Sequence, residues 1–215
     1  MSFWDVTLEL LNASKYTLGL FFLTLIIAIP LGTVICACAT SKFKPLKSVT
    51  GIFIWIIRGT PLMLQIVVVF YVPGLVFGTP FKERFLAALI AFAINYAVYF
   101  AEIYRGGIAA MPQGQYEAGK VLGMNRSQVN MLVILPQVSK RITPAMSNEV
   151  ITLVKDTSLA NIIAIGEIIH TAKNIVATEV ILWPLFYTGV FYLVMIGVLT
   201  LFFKWLEKKM NYYKA

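Results

Sequence analysis

Residues 16–41, YTLGLFFLTLIIAIPLGTVICACATS, contain no charged side chain. A helix needs about 20 predominantly apolar residues to cross the hydrocarbon core of a bilayer, so this stretch predicts a transmembrane helix near residues 16–40. Across the whole sequence 59% of residues are hydrophobic and only 13% are charged. A soluble domain of this composition would expose too much apolar surface. The sequence therefore predicts an all-α integral membrane protein.

Five transmembrane spans account for the pattern of apolar runs. Four of them follow stretches with few or no charges, near residues 16–40, 58–78, 85–105 and 180–204. The fifth predicted span, residues 141–170, contains Glu149, Lys155 and Asp156 between apolar flanks. We therefore expect it to be broken or shielded in its middle. A single domain then covers residues 1–215, with a long loop at about 106–140.

The distribution of basic residues predicts the orientation of the spans. Basic residues concentrate in three regions, namely Lys42, Lys44 and Lys47; Arg105, Lys120, Arg126, Lys140 and Arg141; and Lys204, Lys208, Lys209 and Lys214. The three regions fall on one side of the membrane only if the 141–170 segment crosses it. By the positive-inside rule that side is the cytosol, which leaves the N-terminus outside and the C-terminus in the cytosol. The net charge of +8 then reflects topology, and we expect no binding of nucleic acid.

Residues that could perform catalysis or hold a metal are sparse. Cys36 and Cys38 lie two residues apart within one predicted helix, so they point to different sides and are expected to pack as small apolar groups. His170 is the only histidine. The sequence contains no Gly-x-x-x-x-Gly-Lys-Ser/Thr phosphate-binding loop. We therefore predict no catalytic residue, no metal site and no cofactor, and we do not expect the chain itself to bind ATP.

The loop at 106–140 is longer than a connection between two spans requires. The segment QYEAGKVLGM (115–124) predicts a short helix that Gly123 interrupts. A second helix is expected after it, with Ser127 as N-cap and with Pro136 ending or kinking it before the next span. Two helices joined at a glycine form a protruding knob that another protein's backbone can approach closely. A self-contained helical hairpin on the membrane surface is the alternative.

The spacing in this loop resembles the EAA loop of ATP-binding-cassette (ABC) importer permeases. The matching residues are Glu117-Ala118-Gly119, then Gly123 after three residues, Val133 after nine more, and Leu135-Pro136 after one. The family pattern has Ala at the position of Gly119 and Ile at that of Val133. Four further segments resemble the polar amino-acid subfamily, which includes permeases for histidine, glutamine, arginine and cystine. They are RGTPLMLQ (58–65), AEIYRGGI (101–108), PQGQYEAG (112–119) and LVKDTSL (153–159).

The resemblance implies the fold and the partners. It implies the five-helix fold of type I ABC importer permeases in a bacterial plasma membrane, surrounded by lipid. Two permease subunits, identical or paralogous, would form the pathway for an amino acid that an extracytoplasmic solute-binding protein delivers. A separate dimer of ATPase subunits would hydrolyse ATP, and each loop would dock in a groove on one of them. The residues implied in this coupling are Glu117, Ala118, Gly119, Gly123, Leu135 and Pro136.

Polar residues inside the predicted spans are candidates for the pathway, because charges and amides there usually face a cavity or the bundle interior. An amino-acid zwitterion needs an acceptor for its ammonium group and a donor for its carboxylate. Asn95, Glu102 and Glu149 are the predicted substrate contacts, with interhelical or subunit pairing as the alternative. The predicted gate or structural residues are Arg58, Gly59, Pro61, Lys155 and Asp156, of which Gly59 and Pro61 should bend the helix. The acidic residues favour cationic and neutral polar amino acids.

Two other functional classes are compatible with an apolar, multi-span chain. An ion-coupled secondary carrier would normally show internal inverted repeats and more than five spans. A non-transporting membrane scaffold would have no reason to carry Asn95, Glu102 and Glu149 inside its spans, since buried polar groups are costly there.

Overall fold

The computed structural model describes residues 1–210, and all regular secondary structure in this range is helical. The α-helices are α1 (Phe3–Ala39), α2 (Lys44–Gly59), α3 (Leu62–Phe77), α4 (Arg84–Ala109), α5 (Gln113–Val121), α6 (Arg126–Gln128), α7 (Leu135–Asp156), α8 (Ile168–Glu179) and α9 (Trp183–Met210). A π-helical segment (Val129–Ile134) joins α6 to α7, and a 3₁₀ segment (Thr157–Ile163) follows α7. The predicted all-α class is confirmed. Lys214, which entered the charge argument, lies outside the described residues.

Three helices are each long and apolar enough to cross a membrane, namely α1, α4 and α9. Two bent pairs reach the same criterion when each is taken together, which gives between three and five spans. Helix α1 begins at Phe3, well before the predicted start near residue 16. Its extra turns are stabilised by a capping box, in which the Ser2 side chain accepts a hydrogen bond from the Asp5 amide and the Asp5 carboxylate accepts one from the Ser2 amide.

A sharp bend separates α2 from α3, whose axes differ in direction by 106°. Helix α2 ends at Gly59 and α3 begins at Leu62, with Pro61 in the N-cap position. The predicted bend at Gly59 and Pro61 is confirmed. The predicted span 58–78 stays a prediction; Arg58, at its start, belongs to the helix that precedes the bend. We call residues 58–61 the elbow.

The second bend lies in the predicted 141–170 span, but not at its charged residues. The chain is helical from Arg126 to Ile163 and meets α8 at 50°. Ala164 adopts the left-handed conformation (φ 56°) at this break. The carboxylate of Glu167, which is almost fully buried, then caps α8 by accepting hydrogen bonds from the amides of Ile169 (2.8 Å) and His170 (2.7 Å).

Helix α4 forms the centre of the main core. Its buried residues are mostly small or aromatic, and the N-terminal two thirds of the helix contacts α1, α3 and α7. Helix α1 approaches closely at Gly32, where a Cβ atom would lie 2.9 Å from the carbonyl oxygen of Ala97 and 3.0 Å from Cβ of Phe100. A second, smaller core joins the start of α1 to α8 and α9.

The contact at Gly32 generates a prediction for stability. Gly32→Ala should lower the free energy of unfolding by roughly 1–3 kcal/mol, because the backbone of α4 cannot move away from the added methyl group. Gly189→Ala is the matched control, since among the described residues no atom outside its chain neighbours and the nearby backbone of its own helix lies within 4 Å of its Cβ position. Alanine in an open helical position is favoured over glycine by roughly 0.5–1 kcal/mol. Thermal unfolding in detergent should therefore move in opposite directions for the two variants, and equal shifts would contradict the packing.

Candidate functional site

A cavity of about 510 Å³ opens between the elbow, the middle of α4 and the end of α7. Its size is that of a small-molecule site. The residues that line it are Arg58, Gly59, Thr60, Pro61, Leu62, Asn95, Tyr96, Tyr99, Glu149, Thr152, Asp156 and Leu159. Six of the residues singled out from the sequence are thus brought together from three separate parts of the chain. Glu102 and Lys155 are not among the lining residues.

Arg58 is the cationic group of the cavity. Its guanidinium lies 5.6 Å from the ring centroid of Tyr99, within the range of a cation–π interaction. Its Nη1 atom also donates a hydrogen bond to Oε2 of Glu102 at 3.3 Å. About half of the Arg58 side chain remains exposed in the single chain, so the guanidinium is still accessible to a further anionic group.

Glu102 lies beside the cavity and between two arginines. In addition to Arg58, it binds Arg105 in a bidentate manner, with Arg105 Nε and Nη2 donating to its two carboxylate oxygens at 2.8 Å each. Its side chain is 19% exposed, compared with 47% for Arg105. The role of Glu102 as a direct substrate contact stays a prediction, since the geometry gives its carboxylate two partners within the protein.

Gln65 fixes the elbow to α4. Its side-chain Nε2 donates to the carbonyl oxygen of Ile57 (2.8 Å) and to the hydroxyl (2.9 Å) and carbonyl oxygen (3.2 Å) of Thr60. Its Oε1 accepts a hydrogen bond from Nδ2 of Asn95 at 3.1 Å. Our sequence reasoning did not select Gln65, although it ends the RGTPLMLQ segment and is the only amide in an apolar run of α3.

The acidic wall of the cavity belongs to α7. Oδ2 of Asp156 accepts a hydrogen bond of 2.7 Å from the hydroxyl of the buried Tyr96. Glu149 lies seven residues earlier, on the same helix face. Within residues 1–210, no hydrogen bond or ion pair to the Glu149 side chain is present. Lys155 is exposed on the neighbouring face of α7.

The arrangement can hold a ligand that carries both charges. Arg58 is a fork-shaped cation suited to a carboxylate. The N-terminal end of α3 adds to it, because Leu62 borders the cavity and the first amides of a helix carry a partial positive charge. Glu149 can accept hydrogen bonds from an ammonium group. Among the described residues, no group of three or more His, Cys, Asp or Glu is placed to hold a metal ion.

The loop at 106–140 folds into a helical knob, which we define as residues 113–134. Helix α5 is followed by a turn at Gly123, which adopts the left-handed conformation (φ 72°), and a new helix begins at Arg126. The predicted helix–glycine–helix arrangement is confirmed. A small apolar cluster holds the knob together, with Val129, Ile134 and Val138 buried and Tyr116 and Met124 packed against them.

Two details of the prediction for this loop are wrong, namely the N-cap at Ser127 and the end of the helix at Pro136; the alternative of a kink at Pro136 stays a prediction. The N-cap is Asn125, not Ser127, because the Asn125 side chain accepts from the amide of Gln128 while the Gln128 side chain accepts from the Asn125 amide. Pro136 does not end the helix, which continues into α7. The π-helical segment Val129–Ile134 immediately precedes it, and this wider turn accommodates a residue that lacks an amide donor and crowds the preceding carbonyl groups.

The knob and the first residue of α7 expose apolar side chains. Val121 is 87% exposed and Leu122 is 77% exposed, and Met131, Leu132 and Leu135 are exposed as well. Glu117, Ala118, Gly123 and Pro136 also lie on the surface, whereas Gly119 is buried. Exposed apolar side chains grouped on a protruding element are typical of a protein–protein contact.

The sequence and fold resemble those of known transport proteins. Residues 28–212 match the family described as "Binding-protein-dependent transport system inner membrane component". The arginine transport system permease protein ArtQ of Bacillus subtilis is 34% identical over 203 residues, which are 94% of this chain and 92% of the relative. The L-cystine transport system permease protein TcyB of the same organism is 37% identical over 174 residues, which are 81% and 72% of the two chains.

Solved structures share the fold. A chain in a crystal structure of an amino acid ABC transporter with histidines superposes with a TM-score of 0.89 at 31% identity, covering 97% of this chain and 99% of that one. A chain of the MetNI methionine ABC transporter in an inward-facing conformation superposes with a TM-score of 0.74, covering 98% and 100%. Its identity of 16% supports the likeness of the fold alone.

The buried Gly119 generates a prediction for the knob. A Cβ atom at this position would lie 2.5 Å from Cγ2 of Val129, so Gly119→Ala should push α5 away from the π-helical segment at a cost of roughly 1–3 kcal/mol. Trypsin should then cleave faster at Lys120 and Arg126 in the knob. Gly119→Ala/Val129→Ala should restore most of the resistance, since the second change removes the colliding atoms. Gly114→Ala, in an open position of the same helix, is the control, and wild-type resistance of Gly119→Ala would contradict this packing.

Proposed function

The chain belongs to the family of binding-protein-dependent transport system inner membrane components, and on this premise we propose how its residues take part in amino-acid import. It is the permease component of an amino-acid ABC importer, as the resemblance in its motifs predicted. It is a transport subunit and not an enzyme, because ATP hydrolysis in such importers belongs to a separate subunit. Family membership disfavours the ion-coupled carrier and the scaffold.

We propose five spans, with the N-terminus outside and the C-terminus in the cytosol. Contacts between helix ends support this arrangement. The start of α1, α8 and the start of α9 share the smaller core, while Ser147 of α7 donates to Glu207 near the end of α9 at 3.4 Å. The segment from α7 to α8 therefore runs antiparallel to α9 along its length. The positive-inside rule then assigns the knob and the Lys42–Lys47 segment to the cytosol.

One observation supports the proposed substrate site: charged side chains from separate parts of the chain line the same cavity. Arg58 and the start of α3 bind the carboxylate of the amino acid, and Glu149 accepts hydrogen bonds from its ammonium group. Asn95 and Asp156, both lining the cavity, contribute further polar contacts. Two carboxylates against one guanidinium leave the cavity with a negative balance, which favours cationic and neutral polar amino acids over acidic ones.

The knob is the proposed contact with the ATPase. Its exposed Val121 and Leu122 provide apolar surface for a groove, while Gly123 leaves room for the partner's backbone. The partners of the complete importer are an ATPase dimer, a second permease subunit and an extracytoplasmic solute-binding protein. Because the relatives are bacterial, the proposed location is the bacterial plasma membrane.

The proposed substrate site predicts a loss of transport in Glu149→Gln. Replacing a carboxylate that binds an ammonium group should cost roughly 1.5–3 kcal/mol, or on the order of a 10- to 100-fold slower uptake at a fixed concentration of loaded binding protein. Uptake is measured in proteoliposomes that contain the complete importer, with labelled arginine, glutamine, histidine and cystine as substrates. The wild-type complex should import at least one of the four in an ATP-dependent manner.

Assembly provides the control for this loss. Glu149→Gln should co-purify with the ATPase in the same amount as the wild-type chain, because its side chain lies in the cavity and not in the knob. Glu83→Gln makes the same change at an exposed position before α4 and should leave uptake unaltered. Wild-type uptake and unchanged substrate preference in Glu149→Gln would remove this residue from the proposed site.

The proposed ATPase contact predicts that bulk at Gly123 uncouples the importer. Gly123→Arg and Gly123→Ala share the strain of a left-handed residue, roughly 1–2 kcal/mol, but only arginine adds a long cation to the surface. Gly123→Arg should therefore reach the membrane normally and lose most ATPase in pull-downs, or lose the stimulation of ATP hydrolysis by loaded binding protein. Gly123→Ala should retain both. If Gly123→Arg shows normal stimulation, the coupling role of this turn is refuted.

A further inference from the structure

Glu102 connects two parts of the molecule that the proposed function treats separately. On one side it accepts a hydrogen bond from Arg58, which lines the cavity. On the other side it binds Arg105, near the end of the helix that leads into the knob. Its carboxylate is less exposed than either arginine side chain. The three residues form a continuous ionic path from the cavity toward the knob.

The end of α4 is firmly attached to the helix that leaves the knob. Gly107 lies directly against Ile142 and Val138, with no space for a side chain. Arg141 donates a hydrogen bond of 3.0 Å to the carbonyl oxygen of Ala110. A displacement of the knob therefore moves the last turns of α4, which carry Glu102 and Arg105, because packed elements move together and do not deform continuously.

Besides the contact between Arg58 and the Tyr99 ring, two hydrogen-bonded contacts of different strength attach the elbow to α4. The first contact is made by Gln65, which donates three hydrogen bonds to Ile57 and Thr60 and accepts one from Asn95. The second contact is a single hydrogen bond of 3.3 Å from Arg58 to Glu102. The bond from Glu102 to Arg105 is bidentate and shorter, and short bidentate pairs are the stronger ones. Of the two ionic contacts that Glu102 makes, the one with Arg58 is therefore weaker than the one with Arg105.

We propose that Glu102 is a positioning residue that acts through Arg58, so that the Arg58–Glu102 contact forms and breaks as the knob moves and thereby couples the ATPase to the cavity. The inference rests on the proposed roles of the cavity and the knob. It differs from a role as a substrate contact, since Glu102 sets the position of Arg58 and does not touch the amino acid. Arg105 holds the Glu102 carboxylate in the orientation that reaches the elbow.

Coupling is tested first by the number of amino-acid molecules imported per ATP hydrolysed. The complete importer carries Glu102→Gln, Arg58→Gln or both, and the probe is whichever of arginine, glutamine, histidine and cystine the wild-type complex imports fastest. We expect Glu102→Gln to lower this ratio at least threefold while KM for loaded binding protein changes less than twofold. Arg58→Gln should lower the ratio and also raise KM, because Arg58 itself belongs to the proposed substrate site. The double variant should have the same ratio as Arg58→Gln alone, because the Arg58–Glu102 interaction is already lost in that single variant. Glu102→Asp, which keeps the charge, should recover part of the ratio.

The movement itself is tested by a measurement that does not depend on transport. Spin labels are attached at Trp55→Cys in α2 and Ile108→Cys in α4, both exposed positions, in a Cys36→Ala/Cys38→Ala background. In the assembled complex the distance between the labels should differ between the nucleotide-free state and the state trapped with ATP and vanadate. Glu102→Gln should broaden the nucleotide-free distribution, whereas Glu83→Gln should leave it as in the parent.

The outcomes separate this inference from the proposed function. An unchanged label distance in Glu102→Gln overturns the Arg58–Glu102 coupling even if import is normal. A tenfold or larger rise in KM with an unaltered ratio also overturns it, because it makes Glu102 a substrate contact. If import, hydrolysis and thermal stability all fall together in Glu102→Gln, the role of Glu102 is structural and the coupling is overturned. A nucleotide-dependent distance that Glu102→Gln abolishes supports the coupling, even if none of the four amino acids is imported and the proposed substrate class fails.

Discussion

The side-chain amide of Gln65 donates hydrogen bonds to backbone carbonyl groups at the elbow, where the helix is interrupted in apolar surroundings. Where α2 stops and α3 starts, the last carbonyl groups of α2 have no helical partner. In the hydrocarbon region each unsatisfied group costs several kcal/mol, so irregular backbone is tolerated only where it is buried in protein or lines a cavity. Gln65 donates to Ile57 and Thr60, and Asn95 in turn donates to Gln65. The elbow that presents Arg58 to the cavity depends on this arrangement.

One face of helix α4 makes polar contacts with the elbow, and the other face packs in the core. Asn95 and Glu102, two turns apart, reach the two sides of the elbow, and between them Tyr96 ties α4 to α7 through Asp156. The opposite face includes Ala97 and Ala101, where α1 approaches at Gly32. Close backbone contact through small residues is the usual way in which helices associate in lipid, where hydrophobicity gives no driving force between them. Helix α4 is thus held to the elbow and α7 by polar contacts, and to α1 by close packing at small residues.

Local sequence signals predicted the features that depend on one segment alone. The bend at Gly59 and Pro61 and the turn at Gly123 follow from backbone preferences, and the structure confirms both. The continuous helix through Pro136 was not predictable in the same way, because a π-helical turn relieves the clash that proline normally causes. Gln65 escaped selection for a different reason: its role depends on partners in α2 and α4, which no spacing within α3 reveals.

The departure of the knob from its family pattern follows from packing rather than from a change in chemistry. The pattern has Ala at the position of Gly119, yet here Val129 occupies the space that a methyl group would need. In this chain the small residue in α5 thus lies directly against a branched residue in the π-helical segment. Glu117, Ala118 and Gly123 remain on the surface, where a partner would contact them. The role of Gly119 is therefore one of packing: a glycine in α5 lets the branched Val129 approach closely, and this contact sets the shape of the knob.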